Sequence, residues 1–173
     1  MTQSLVLTVI GDDRHGLVEK LASTISKHEG NWLESSMSRL AGKFAGIVRV
    51  EVADEQAARL RQALADLPDL RVIVEASGPE TAKSVGARFT LQLVGHDRIG
   101  IVREVTTVLA RHAINVEKLV TGTASAPMSA ETLFKAEAEL LASPGFDSAA
   151  LQSDLERISA DLMVDIDLAN ADT

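Results

Sequence analysis

The sequence predicts an α+β fold built as two tandem βαββαβ units, each an antiparallel sheet with two helices on one face. Three observations carry this prediction. An internal repeat sets Gly11, Asp13, Arg14, Gly16, Val18, His28 and Asn31 on Gly95, Asp97, Arg98, Gly100, Val102, His112 and Asn115, a constant offset of 84. Apolar runs of strand character alternate with segments of helical period in the same order in both halves. Between the halves lies SGPETAKSVG, Ser77–Gly86, polar and interrupted by Pro and Gly as a domain boundary should be. The expected organisation is a first domain over 1–77, a linker over 78–86 and a second domain over 87–173.

In the first half, LVLTVI (Leu5–Ile10) is a continuous, β-branched apolar run and reads as a buried strand. Leu17, Leu21 and Ile25, with Val18 and Ala22, then recur at helical spacing to about His28. Gly30 supplies a permissive residue past the helix end. Asn31–Leu40 and Lys43–Val52 read as two strands around an Ala41-Gly42 turn. A second helix is expected from Asp54, an N-cap residue type, with Ala57, Leu60, Leu64 and Leu67 on one face. Leu70–Ala76 closes the unit as a fourth strand. The second half repeats the order: a strand at Phe89–Val94, a helix from Gly100 to His112, and strands near Val116–Gly122 and Glu131–Leu141. A helix from Asp147 to about Ser159 and a strand over Leu162–Leu168 complete it. Such a β-α-β-β-α-β order is the ferredoxin-like split unit, and a tandem copy is a natural cover for its exposed edges and open face.

Composition bounds the chemistry. The chain is 46% hydrophobic but only 3% aromatic, so its cores must be aliphatic. No run approaches the roughly 18–20 apolar residues that cross a bilayer, and the first residues lack a basic leader and cleavage site. Zero cysteines exclude disulfides, thiol catalysis and Cys-ligated zinc, and the expected compartment is the cytoplasm. The formal charge is −8, from 25 acidic and 17 basic residues without a Lys/Arg cluster, which argues against direct nucleic-acid binding.

The repeated loops, GDDRHGLV (Gly11–Val18) and GHDRIGIV (Gly95–Val102), suggest phosphate binding at first glance. A dinucleotide fingerprint needs G-x-G-x-x-G, however, and a P-loop needs Lys and Ser/Thr after its last glycine; here Leu17 and Ile101 follow. What survives is a strand running into a loop that opens on a helix N-terminus, whose free N–H groups favour a small anion such as an amino acid's carboxylate. Asp13 and Asp97 suit the ammonium group of the same molecule. Asn31 and Asn115 offer a donor and an acceptor each, on a second strand expected to start near the first strand's end. Each feature also has a purely structural reading: the aspartates as helix N-caps, the glycines as turn residues of positive φ, the asparagines as caps of the preceding helix, the arginines as surface ion pairs.

Other chemistry finds little support. His28 and His112 fall at predicted helix C-termini, where they complement the dipole without any ligand. His15 and His96 are not equivalent, and no zinc-binding histidine spacing occurs. There is no G-x-S-x-G elbow, and two small antiparallel units leave no separate catalytic domain. No enzyme activity, catalytic residue, metal or cofactor is expected.

D-R-x-G-[IL]-V between a first strand and helix, with Asn opening the second strand, resembles the ACT domain, a small-molecule regulatory module. The likeness covers nearly the whole chain as two copies. Closer still is the likeness to a transcriptional repressor made of ACT units, through NWLESSMSRLAGKFAG in the first copy and SAPMSAETLFKAEAEL and DLMVDIDL in the second. The resemblance implies a non-enzymatic amino-acid-responsive regulator, glycine being the favoured effector, with a transcription factor as protein partner and a homo-oligomeric state. The alternative it implies is a regulatory subunit or binding module for an amino-acid or folate pathway enzyme. On the family's pattern effector contacts fall on Gly11, Asp13, Gly16 and Asn31, and in the second copy on Gly95, Asp97, Gly100 and Asn115. Where the family usually has a loop Pro, this chain has His15 and Ile99; where it has a Gly two before the Asn, this chain has Glu29 and Ala113.

Thr121–Thr132, TGTASAPMSAET, has no counterpart in the first copy. Its small polar residues and Pro127 predict a long connection between the second and third strands, either a tolerated insertion or a partner-docking or lid segment with Met128 as its apolar anchor.

Overall fold

A computed structural model describes residues 1–78, 85–126 and 131–171. The chain divides into two compact units, Met1–Thr81 and Ala82–Thr173. The first runs β1 (Thr2–Asp12), α1 (Leu17–Lys27), β2 (Asn31–Leu40), β3 (Lys43–Ala53), α2 (Asp54–Ala65) and β4 (Arg71–Ala76). The second runs β5 (Ala87–His96), α3 (Ile101–Arg111), β6 (Ile114–Ser125), β7 (Thr132–Ala142), α4 (Ser148–Leu162) and β8 (Val164–Asn170). The sheets have the orders β2-β3-β1-β4 and β6-β7-β5-β8, every pairing antiparallel. The chain is therefore two tandem ferredoxin-like βαββαβ units.

Each sheet buries one face under its helices. In the first unit Leu5, Leu7 and Val9 of β1 and Val48, Val50 and Val52 of β3 meet Leu17, Leu21 and Ile25 of α1 and Ala57, Leu60 and Leu64 of α2. Alternation along β1 thus replaces the two-sided burial that its continuous apolar run suggests: Ile10 stays 42% exposed, beside Ile47 and Ile73 on the open face. In the second unit Leu91, Leu93, Ala138 and Leu140 meet Ile101, Val105, Val108 and Leu109 of α3 and Leu151, Leu155 and Leu162 of α4. Burial of this kind contributes roughly 25 cal/mol per Å² of apolar surface and dominates the stability of each unit.

Local departures from the sequence reading each have a physical cause. Asp54 is not the cap of α2. Its N–H donates to the Met1 carbonyl at 3.1 Å, continuing the β1–β3 ladder, so Ala53 becomes the cap and no side chain closes that end. Asp147 does cap α4, accepting from the Ala150 N–H at 3.0 Å. That helix runs on to Leu162, because Leu162 is buried on the same face as Leu151 and Leu155, and Met163 ends it in the left-handed conformation. The last strand therefore starts at Val164 rather than at Leu162. At the end of α1 the positive φ falls on Glu29 (58°), and at the end of α3 on Ala113 (53°), not on Gly30. Gly30 is needed for space, since a Cβ there would lie 2.8 Å from Ile25 Cγ2. The Ala41-Gly42 turn has positive φ at both residues, the type I′ geometry that matches the twist of a two-residue hairpin.

The β6–β7 hairpin extends as a ladder to Ser125 and Thr132, and the Ala126 N–H reaches the Glu131 carbonyl at 2.8 Å. Residues 121–125 are thus strand rather than open connection. Pro127 and Met128 lie outside the described residues. A register shift interrupts β2 between Trp32 and Glu34 and β6 between Val116 and Lys118, the same place in both copies. No helix among the described residues is long and apolar enough to cross a membrane.

Candidate functional site

The two repeated loops are built alike. At the end of β1 the Asp13 N–H donates to the Gly42 carbonyl at 2.9 Å, and at the end of β5 the Asp97 N–H donates to the Thr132 carbonyl at 3.0 Å. Each loop is thus pinned to the hairpin beside it. Gly16 (φ 84°) and Gly100 (φ 97°) turn the chain into α1 and α3 from the left-handed region, which glycine adopts without steric penalty. Gly11 and Gly95 serve differently: they admit a close neighbour. A Cβ on Gly11 would lie 2.4 Å from the Asp69 carbonyl oxygen, and one on Gly95 would lie 2.2 Å from Val164 Cγ1.

Asp13 and Asp97 do not cap the helices. The capping positions belong to Gly16 and Gly100, neither with a side-chain cap bond. The first N–H groups of α1 and α3 are left for solvent or a ligand. Asp13 instead pairs with Arg39 at 3.3 Å. Asp12 pairs with Lys43, which holds its carboxyl below the usual range first by hydrogen bonding and then by charge. Arg14 approaches Asp69 at 3.6 Å, and Lys20 binds the other carboxylate oxygen of Asp69, lowering its pKa. Two clefts flank this loop. One, about 330 Å³, is lined by Asp13, Arg14, Gly16, Glu19 and Phe44. The other, about 540 Å³, is lined by Gly11, Asp12, Lys43, Asp69 and Arg71.

In the second loop the side chains rearrange. Arg98 turns to Glu104 at 2.8 Å, within its own loop and helix. His96 Nδ1 faces Glu131 at 3.5 Å. The Asp97 carboxylate meets no cation among the described residues.

The asparagines do not join the loops of their own units. Asn31 is level with Glu51 of β3, itself level with Ser4, whereas Gly11 is level with Phe44 and Arg39. Seven residues of β1 separate the two levels, roughly 23 Å at ~3.3 Å per residue. Asn115 stands likewise, level with Leu141 and Arg88, while Gly95 is level with Phe134 and Thr123. The second strand starts at the far end of the sheet because α1 carries the chain back along β1. Both asparagines are exposed.

The histidines at the helix ends are structural. His28 Nδ1 lies 2.9 Å from the Thr24 carbonyl. His112 Nε2 lies 2.9 Å from Asp154, tying α3 to α4 and lowering the Asp154 pKa, with Arg157 adding a charge contribution. Among the described residues no cluster of three or more His, Asp or Glu could hold a metal ion. The residues that sequence reading missed are Arg39, Lys43, Asp69, Lys20 and Glu104. The last two leave a signal, for they share one repeat position with opposite charge.

Comparison with known proteins places this geometry. The family model for the ACT domain matches residues 3–77. An unknown protein from Galdieria sulphuraria is 30% identical with a TM-score of 0.88, each chain 99% covered. A proposed glycine cleavage system transcriptional repressor is 18% identical with a TM-score of 0.72, covering 97% of this chain and 96% of that one; at that identity the likeness is one of fold. Among curated proteins none matches the sequence.

Proposed function

We propose, from the premise that the chain belongs to the ACT-domain family as a tandem of two such units, that it is a non-enzymatic regulator responding to a small amino acid. Glycine is the favoured effector, and the output is control of a transcription factor by protein contact. One observation carries the reading: a glycine-bounded Asp-Arg loop opens on an uncapped helix N-terminus in both units, flanked in the first by clefts with charged walls. A carboxylate suits the helix end and the arginine, while the aspartate suits an ammonium group. The glycine cleavage role draws on the fold shared with the proposed repressor.

Gly11, Asp13 and Gly16, with Gly95, Asp97 and Gly100, form the loop part of the proposed sites. Asn31 and Asn115 stand on edge strands at the other end of their sheets, so they would meet a ligand loop only from a second copy of the chain. Such edges carry unpaired backbone groups that a second sheet can take up, and a homo-oligomer is part of the proposal. Regulation then requires that the effector bind the free and partner-bound forms differently, typically by about 1–3 kcal/mol.

Calorimetric titration of the full chain with glycine, serine, alanine and the remaining amino acids tests the sensing role; silence from all of them, with the protein folded, would sink it. Transcript levels of glycine cleavage genes with and without this gene test the output. Unchanged levels in glycine-fed cells would remove the transcriptional part alone.

A further inference from the structure

The two loops share a backbone but not the pairing of their charged side chains, and the positions of Lys20 and Asp69 carry the difference. In the first loop two cations, Arg14 and Lys20, share the single carboxylate of Asp69. Asp13 is answered by Arg39 and Asp12 by Lys43. Arg14 is the looser member, at 3.6 Å from Asp69 and 65% exposed. It lines the 330 Å³ cleft with Gly16 and Glu19, and a Cβ built on Gly16 would meet nothing within 4 Å.

In the second loop both members of the Lys20–Asp69 pair are replaced. Position 20 becomes Glu104. Position 69 becomes Met163, since Ile10 pairs with Arg71 and Val94 with Asp165, two residues further on in each case. Arg98, with no acidic partner across the sheet, is bound by Glu104. That carboxylate also lies against the turn, its Oε1 3.6 Å from where a Cβ of Gly100 would be. The loop arginine is thus held by its own helix rather than across the sheet. Exposed pairs of this kind are screened by solvent, so the expected separation of the two sites is on the order of tenfold in affinity.

We propose that the loops are functionally unequal: the first takes the amino acid's carboxylate, and the second is closed from within by the Arg98–Glu104 pair. Lys20 and Glu104 are thus the residues that set which copy responds. This rests on the amino-acid-sensing reading above and assigns the site within it.

The test is calorimetric stoichiometry with the full chain, using glycine and then each amino acid that binds. The wild-type protein is expected to bind one molecule per chain. Lys20→Glu should weaken that site at least tenfold, and Glu104→Gln, which frees Arg98 without adding charge, should open a second site. Circular dichroism melts show that each variant is folded. Two equal sites in the wild type, or a site that Lys20→Glu leaves intact, would overturn the inequality while leaving amino-acid sensing in place. No binding by any amino acid would overturn both.

Discussion

The first and second loops differ in what they keep and what they let go. Both keep the glycines at the close approach and at the left-handed turn, the N–H bond to the neighbouring hairpin, and the register shift in the following strand. They let go of the charged partners: Lys20 and Asp69 in one copy, Glu104 and Met163 in the other. The shared set is what the βαββαβ backbone demands. On the inequality proposed above, the set that changed decides which copy responds, and a motif retained in two copies is no proof that both copies bind.

The glycines allow that distinction to be broken. Gly11→Ala puts a methyl against a backbone carbonyl that cannot swing away, so a loss of about 1–3 kcal/mol is expected in urea unfolding. In Gly95→Ala the added Cβ would lie 2.2 Å from Val164 Cγ1 and 2.7 Å from its Cβ, which no rotamer clears, and the change should cost a similar amount. If both are neutral, the close approach of the first and fourth strands is not the constraint on these positions. A smaller effect of opposite sign is expected at the helix ends. Glu29→Gly and Ala113→Gly each relieve a left-handed residue and should stabilise by about 1 kcal/mol. Destabilisation by either would show that the side chain does more there than bear strain.

A third comparison concerns the cores. Beneath α3 the second unit keeps a small apolar cavity of about 20 Å³ whose lining includes Val116 and Ala138. The first unit has Trp32 and Val48 at the equivalent places, the latter opposite Leu7 as Ala138 is opposite Leu91. Ala138→Val should fill this space and stabilise the fold by about 0.5–1 kcal/mol, read as a raised melting temperature. A lowered melting point would mean that the cavity is already relaxed around its lining.

How far the sequence reached follows from the range of each interaction. The element order and the helix faces depend on local spacing, legible from Leu17, Leu21, Ile25 and their counterparts, and the repeat needed only the chain compared with itself. Asn31 was misplaced because strand register is a long-range property: only the pairing through Glu51 to Ser4 shows that it stands at the far end. Asp54 has a cap residue's chemistry, but its N–H was already taken by Met1. The end of α4 at Leu162 depended on which side of Met163 found the core. Arg39 and Asp69 carry no local signal; their role appears only when the hairpin and β4 bring them to the loop.

The smallest expected effect is one of pH. Asp69 and Asp12 have lowered pKa values through Lys20 and Lys43, and Asp154 through His112. A depressed carboxyl pKa adds stability above the ordinary value near 3.8 that is lost as pH falls through the folded-state value. These groups are exposed and screened. Asp69→Asn should therefore flatten the acid limb of a stability-versus-pH curve below about pH 4 only slightly; an unchanged limb would show that the Lys20 pair adds nothing to folding.

The inequality of the loops is read most directly by nuclear magnetic resonance of the ¹⁵N-labelled chain during titration with glycine, followed by other amino acids. The Gly16 and Leu17 amides are expected to shift and saturate while Gly100 and Ile101 hold still. Parallel shifts in both loops, or shifts confined to Gly100, would contradict it.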